Sequence, residues 1–360
     1  METTYKNIHP YFKLNGFSLS KEELREVAYS LIKEGEPFEN GMGDFLLDWL
    51  TEKDTLSVRT SGSTGTPKKI ILKKQQMVNS ALATGAFFDL GYTTNALLCL
   101  SADYIAGKMM FVRAMTLGWN LDYVAPSSSP LDVATKKYDF VAMVPLQAQN
   151  SLQKLHLVKI LIVGGAPISL PLRRDLEQVN SVVYETFGMT ETISHIALKK
   201  IEKGAKETCF TVLPNVTVAT DARECLVVHA PEITNQAVVT NDVVRLISEN
   251  QFEWLGRYDT ILNSGGIKLH PEAIEKKLEV VIPVPFFVAG IPDTVLGQKL
   301  IVIIEGEADK ALLSKLNALK SLEKFEIPKE VYCVPKFALG SNGKLNRKAT
   351  LDTLFHTKMK

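Results

Sequence analysis

Four short β-rich apolar runs alternate with helix-period segments through the middle of the chain: Ala96-Leu97-Leu98-Cys99-Leu100, Phe140-Val141-Ala142-Met143-Val144, Lys159-Ile160-Leu161-Ile162-Val163 and Ser181-Val182-Val183-Tyr184. That alternation predicts an α/β fold, a mostly parallel sheet with helices on its faces. In such a sheet ligands bind beyond the carboxyl ends of the strands. Two segments come directly after strand ends and so become candidates for chemistry, Gly164-Gly165-Ala166-Pro167 and Phe187-Gly188-Met189-Thr190-Glu191.

Upstream, residues 18–34 read as a capped amphipathic helix. Ser20 caps, Glu23 closes a capping box, and Leu24, Val27, Ala28 and Leu31 share a face. Ile70-Ile71-Leu72 reads as a strand and 74–90 as a helix. From about residue 207 shorter β segments, among them 225–229 and 238–239, suggest a small antiparallel sheet or barrel. Past Arg257-Tyr258-Asp259 a separate α+β module is expected, with strands at 286–289 and 299–304 and helices near 271–279 and 308–322. The chain thus divides into residues 1–258 and 259–360, which suits 360 residues that are 46% hydrophobic and 22% charged.

A formal net charge of +1 gives no field for nucleic acid, and no basic stripe carries interleaved aromatics. The cysteines Cys99, Cys209, Cys225 and Cys333 are scattered, three of them in apolar runs. Buried free thiols in a reducing cytoplasm are expected, not a disulfide framework or zinc site. The first residues lack an apolar leader core and no run approaches the roughly 20 apolar residues that span a bilayer.

Five segments carry the chemistry. In Thr60-Ser61-Gly62-Ser63-Thr64-Gly65-Thr66-Pro67-Lys68-Lys69-Ile70, small residues let backbone N–H groups turn inward as an anion nest, hydroxyls add donors and Lys68 adds a cation. The plain alternative is a flexible Ser/Gly turn. The order differs from Gly-x-x-x-x-Gly-Lys-Ser/Thr, which disfavours a P-loop kinase or GTPase. In Tyr184-Glu185-Thr186-Phe187-Gly188-Met189-Thr190-Glu191-Thr192, Thr190 can bond a phosphate oxygen and Glu191 can hold Mg2+ through hard oxygens; a helix start capped by Thr190 is the competing reading. Thr240-Asn241-Asp242 offers a carboxylate able to accept two hydrogen bonds from a cis-diol, or simply an Asp in a β-turn. Gly256 through Glu275 reads as a charged linker, a glycine loop and a helix opened by Pro271. Last, Gly343-Lys344 is a lysine on a glycine turn, which could be only a solvated surface charge.

In their motifs and their order, over about four-fifths of the chain, these segments resemble the acyl-adenylate-forming superfamily. The resemblance implies ATP and CoA as co-substrates with Mg2+ as cofactor. It assigns ATP binding to Thr60, Ser61, Gly62, Ser63, Thr64, Gly65, Lys68, Gly165, Ala166, Phe187, Gly188, Met189, Asp242 and Arg257. Catalytic roles fall to Lys344, Thr190, Glu191 (also the Mg2+ ligand) and Arg257, the hinge to Asp259, and CoA contact to Ser264, Gly265 and Gly266. By the same resemblance the fold is a large N-terminal domain with a small β subdomain and a small mobile lid.

Departures are visible too. Lys69 stands where Gly is usual, Phe187 where Tyr is, and Asn241 where Gly is, the last expected to change only a turn. Tyr104-Ile105-Ala106-Gly107 stands for His-x-x-Gly, and Ala338-Leu339-Gly340 replaces the usual Pro-x-Thr. Only 59 residues precede the loop, so part of the first subdomain is expected to be missing or rebuilt; a homodimer burying that face is one assembly this allows. Within the superfamily, the short chain and the 189–195 segment are most like ligases for an aromatic acid with a second carboxylate. Candidates for that acid pocket are Tyr104, Lys108, Arg113, Ser194 and His195. For these, solvated helix residues and a satisfied core imidazole are the plainer readings. Another aryl- or short-chain acyl-CoA synthetase, an enzyme charging a carrier protein, and a nucleotide-binding regulator without catalysis stay open.

Overall fold

A computed structural model of the chain describes residues 3–59, 69–204, 209–308, 311–339 and 345–356, the side chains at 59 and 356 left aside. Its centre is a 13-stranded sheet. Strands Lys13–Leu14, Asn120–Tyr123, Asn95–Leu98, Tyr138–Met143, Val158–Val163 and Val182–Gly188 lie side by side in that order and run parallel. Helices Lys74–Phe88, Ile105–Leu117 and Leu170–Leu176 fall between them in sequence, as the alternation of apolar runs predicts.

Side-chain parity along these strands builds two cores. Ala96, Leu98, Phe140, Ala142, Ile160 and Ile162 face one layer. Leu97, Val141, Leu161, Val163 and Val183 face the other. Successive residues of a strand point to opposite faces, so a run apolar at every position serves a sheet covered on both sides.

The expected small β subdomain is not a separate sheet. Val182–Gly188 pairs antiparallel with His195–Ile201, and the strands Phe210–Val212, Gln251–Arg257, Val238–Ser248, Cys225–His229 and Thr217–Thr220 extend the same sheet outward. An aromatic cluster explains the continuity: Phe187 packs on Phe252 and Phe210, whose rings stack at 5.5 Å. Rings of this size tie adjoining strands into one core.

From Leu262 onward a second, five-stranded sheet begins, with Phe286–Asp293, Gly297–Glu305 and Glu330–Val334 at its heart. Val288, Leu300, Val302 and Ile304 fill one face, and Phe287, Ile301 and Ile303 the other. The helix expected over 308–322 is shorter, Leu312–Asn317. A hairpin of Thr55–Arg59 and Lys69–Lys73, paired up to Arg59 and Lys69, brackets residues 60–68.

At the start of the chain the helix Lys21–Lys33 carries the predicted capping box: the Glu23 N–H donates to Ser20 Oγ and the Ser20 N–H donates to Glu23 Oε2. Cys99 and Cys225 are buried as expected, whereas Cys333, on the strand Glu330–Val334, is exposed. Among the described residues no helix is long and apolar enough to cross a membrane.

Candidate active site

The parallel strands Val158–Val163 and Val182–Gly188 are neighbours with Val163 opposite Glu185, so the loops at their carboxyl ends emerge at the same end of the sheet. Gly165 and Ala166 are exposed there. Gly164 packs against Thr186. Phe187 and Gly188 are the last residues of their strand and not, as the sequence suggests, part of the loop after it. Gly188 pairs with His195. Met189 leads into a 3-10 turn, Thr190–Thr192, with Glu191 exposed. Thr190 does not cap this turn: the Met189 N–H donates to Thr192 Oγ1 at 3.1 Å, and the single Thr192 hydroxyl proton lies between the carbonyls of Met189 and Ser194, both within hydrogen-bond distance.

The turn ends in strained backbone. Ile193 has φ 68° and ψ −52°, and the Ser194 N–H reaches the Thr192 carbonyl at 2.7 Å. This is a γ-turn of the rare hand, unusual for a β-branched residue, and such strain gathers at functional sites. It delivers Ser194 and His195 onto Arg113, which arrives from the helix Ile105–Leu117.

Arg113 is 3% exposed. Its Nη2 donates to Ser194 Oγ at 2.7 Å and lies 3.4 Å from His195 Nδ1, while its Nε donates to Thr84 Oγ1 at 3.3 Å. Among the described residues no carboxylate pairs with it. Burial pulls its pKa down to about 10, so it stays a cation at neutral pH. The solvated helix residue of the plainer sequence reading is therefore a buried guanidinium held by neutral partners. A buried charge without a counter-ion is costly, and an arriving anion removes the cost.

His195 is buried, and its Nε2 has no hydrogen-bond partner among the described atoms. It is not the satisfied core imidazole of the plainer reading. Lys108 and Tyr104 do not join this group: the Lys108 ammonium donates to the Ala102 carbonyl and sits over the Phe45 ring, and Tyr104 is exposed before the helix.

A second constellation forms where Val238–Ser248 pairs with Gln251–Arg257. Asp242 stands opposite Arg257 in register, so Thr240-Asn241-Asp242 is strand and not turn: cross-strand pairing overrides the local preference of Asn and Asp. Asp242 is buried, accepts from Trp254 Nε1 at 3.0 Å and lies 3.6 Å from Arg257 Nη1. Burial raises its pKa, with Trp254 and Arg257 opposing. Arg257 Nε also donates to Asp259, exposed in the 3-10 turn Tyr258–Thr260. Trp254 was missed by sequence reasoning, although a Trp N–H on a half-buried strand generally seeks an acceptor.

Ser264, Gly265 and Gly266 make a tight hairpin in place of an open loop. Gly265 and Gly266, at φ 60° and 83°, join Leu262–Ser264 to Ile267–Leu269. Two successive positive φ values are what a two-residue hairpin turn requires. Ser264 is buried; both glycines are exposed. Thr60 through Lys68, and Lys344, lie outside the described residues.

A family model for AMP-binding enzymes matches residues 49–229. The chain is 35% identical to an acyl-CoA synthetase (AMP-forming)/AMP-acid ligase II-like protein from Dyadobacter fermentans, covering 92% of this chain and 98% of that one at a TM-score of 0.61. It is 22% identical to a 2-succinylbenzoate–CoA ligase of Lactococcus lactis, over 84% of this chain and 71% of the relative. The O-succinylbenzoate coenzyme A synthetase of Bacillus subtilis, solved with ATP and magnesium ion, shares the fold at a TM-score of 0.71 and 19% identity, over 94% of this chain and 83% of that one. With half of its length matched by the family model and a 35% identical relative spanned nearly end to end, the chain belongs to the AMP-binding enzyme family and is an ATP-dependent ligase.

Proposed function

We propose that the enzyme is an acid–CoA ligase that activates o-succinylbenzoate, an aryl acid with a second carboxylate, and passes it to CoA. The observation that carries the acid is Arg113, a buried cation whose partners Ser194 and His195 are both neutral. A distal carboxylate would complete that charge, whereas a monocarboxylic acid would leave it bare. The names of the curated relatives support the same acid.

In the first half-reaction an oxygen of the acid's reacting carboxylate attacks the α-phosphorus of ATP, and the bond to pyrophosphate breaks. Asp242 would accept the ribose hydroxyls with Arg257 beside it, and Thr190 would donate to a phosphate oxygen. Residues 61–65 and Lys68 would restrain the β- and γ-phosphates, and Lys344 would bridge acid and α-phosphate. No group of three or more His, Cys, Asp or Glu stands ready for a metal among the described residues. A lone exposed carboxylate such as Glu191 suits Mg2+, which binds through one or two carboxylates together with substrate phosphates. When bound, that ion would neutralise phosphate charge. In the second half-reaction the CoA sulfur attacks the carbonyl of the mixed anhydride and AMP leaves. Positioning and charge stabilisation supply most of the acceleration.

The test is ATP- and Mg2+-dependent thioester formation with free CoA, offering o-succinylbenzoate beside benzoate, succinate and medium-chain acids, with Arg113→Gln in parallel. We expect thioester with o-succinylbenzoate alone. Losing a buried charge partner costs about 2–5 kcal/mol, so Arg113→Gln should lower kcat/KM at least 30-fold. Equal turnover of benzoate would overturn the acid; pyrophosphate without thioester would point to a carrier-protein thiol; silence with every acid would favour a non-catalytic nucleotide-binding role.

A further inference from the structure

The proposed nucleotide contacts Asp242 and Arg257 sit at the ends of two paired strands. One side chain grips the neighbours of both. Arg223, in the turn before Cys225–His229, sends Nη1 to Asn241 Oδ1 at 3.0 Å and Nη2 to the Thr240 carbonyl at 3.1 Å. Its guanidinium carbon lies 5.1 Å from the centre of the Tyr258 ring. Its aim is fixed from behind by Asp221, which accepts from Nε at 2.8 Å and also from the backbone N–H groups of Arg223 and Cys225. Three nitrogens and one face are engaged, a combination that a planar guanidinium offers and an ammonium does not.

From this geometry we infer that Arg223 is a positioning residue for ATP: it clamps the backbone before Asp242 and the ring after Arg257, and so holds that pair in register for the nucleotide. The clamp also explains Asn241. The Gly usual in the family at this position has no side chain to give, whereas Asn241 supplies the acceptor for Nη1. Asn241 is exposed and otherwise serves no core.

The inference rests on the reading of Asp242 as a ribose ligand, and the experiment separates the two. Steady-state KM for ATP and kcat are measured for Asp242→Asn, Arg223→Met, Asn241→Gly, Asn241→Asp and the Arg223→Met/Asn241→Gly double variant. We expect KM for ATP to rise about 10-fold in Arg223→Met with kcat within twofold, the size of losing one charged hydrogen bond. Asn241→Gly should raise KM about threefold, Asn241→Asp should keep the wild-type value because it keeps the acceptor, and the double variant should match Arg223→Met because partners do not add. A purely structural role would instead lower kcat and melting temperature with KM unchanged. If Asp242→Asn raises KM while Arg223→Met and Asn241→Gly do not, the clamp falls alone. If Asp242→Asn leaves KM unchanged, the nucleotide reading and the clamp fall together. Asn241→Gly, an exposed side chain, decides the matter if Arg223→Met does not fold.

Discussion

Arg113 faces Nδ1 of His195 with a donor, which leaves the ring proton on Nε2. Burial, and then the charge of Arg113, holds this imidazole well below 6.5. The unfolded chain takes up a proton here as pH falls through about 6.5 and the folded chain does not. This contribution to stability is therefore complete above about 6.5 and declines as pH drops below it, by up to about 1.4 kcal/mol per pH unit for one proton. His195→Gln should flatten the stability profile between pH 6.5 and 5.5 by that one-proton slope, read as urea midpoints across the range. A slope unchanged from wild type would mean that His195 takes up its proton in the folded chain as readily as in the unfolded one. The sequence offers Arg113, Ser194 and His195 as pocket candidates, but neither their burial nor their contact with one another was legible in it. Arg113 stands in Met109-Met110-Phe111-Val112-Arg113-Ala114-Met115, where a charged residue is expected to carry its head to water. Ile193 is a residue type that local preference keeps out of positive φ, so its turn could be known only from the strand pairing around it.

Elements whose stability is local were the easiest to read, as the Ser20–Glu23 box and the capped helix Lys21–Lys33 show. The next helix, Asn40–Trp49, was missed because Gly41 and Gly43 lower its intrinsic preference. Its warrant is tertiary: a Cβ on Gly43 would meet the Ala28 carbonyl oxygen at 2.5 Å, so glycine lets this helix approach its neighbour. Its carboxyl end has no basic residue of its own. Lys74, fully buried, fills that place from another element, its three N–H groups donating to the carbonyls of Asp48 at 2.8 Å, Trp49 at 2.9 Å and Thr51 at 3.1 Å, with Thr51 Oγ1 also 3.2 Å from Nζ. Burial pulls its pKa down to about 8, which still leaves the ammonium charged at neutral pH. A cation there satisfies orphan carbonyls and complements the helix dipole. Lys74→Met should lower stability by roughly 3 kcal/mol, the scale of losing hydrogen bonds to a charged group while stranding buried acceptors. A urea midpoint within error of wild type would show the cap to be dispensable.

At the scale of the whole molecule the sheet architecture was legible because strand runs and helix periods are local signals. The merging of the antiparallel strands into the large sheet was not, because it depends on Phe187, Phe210 and Phe252 meeting from distant parts of the chain. The junction with the five-stranded sheet includes polar contacts: the Leu170 N–H donates to Glu279 Oε2 at 2.7 Å, and the Thr260 hydroxyl lies within hydrogen-bond distance of both the Arg257 carbonyl and Glu272 Oε2. Polar junctions of this kind can be exchanged without opening a core. The proposed chemistry needs such an exchange. A lysine that bridges acid and α-phosphate would occupy the approach a thiol must take, and rotation about Asp259 would withdraw it while bringing Gly265 and Gly266 forward. Lys344→Ala should therefore slow pyrophosphate release by about 100-fold or more, the scale of one electrostatic contact made in the transition state. Thioester formation from supplied acyl-adenylate and CoA should change by less than about threefold, because in the proposed chemistry that step would make no use of the lysine. Rapid-quench assays of the two half-reactions measure each separately, and an equal loss in both would mean that one arrangement of the molecule serves both steps.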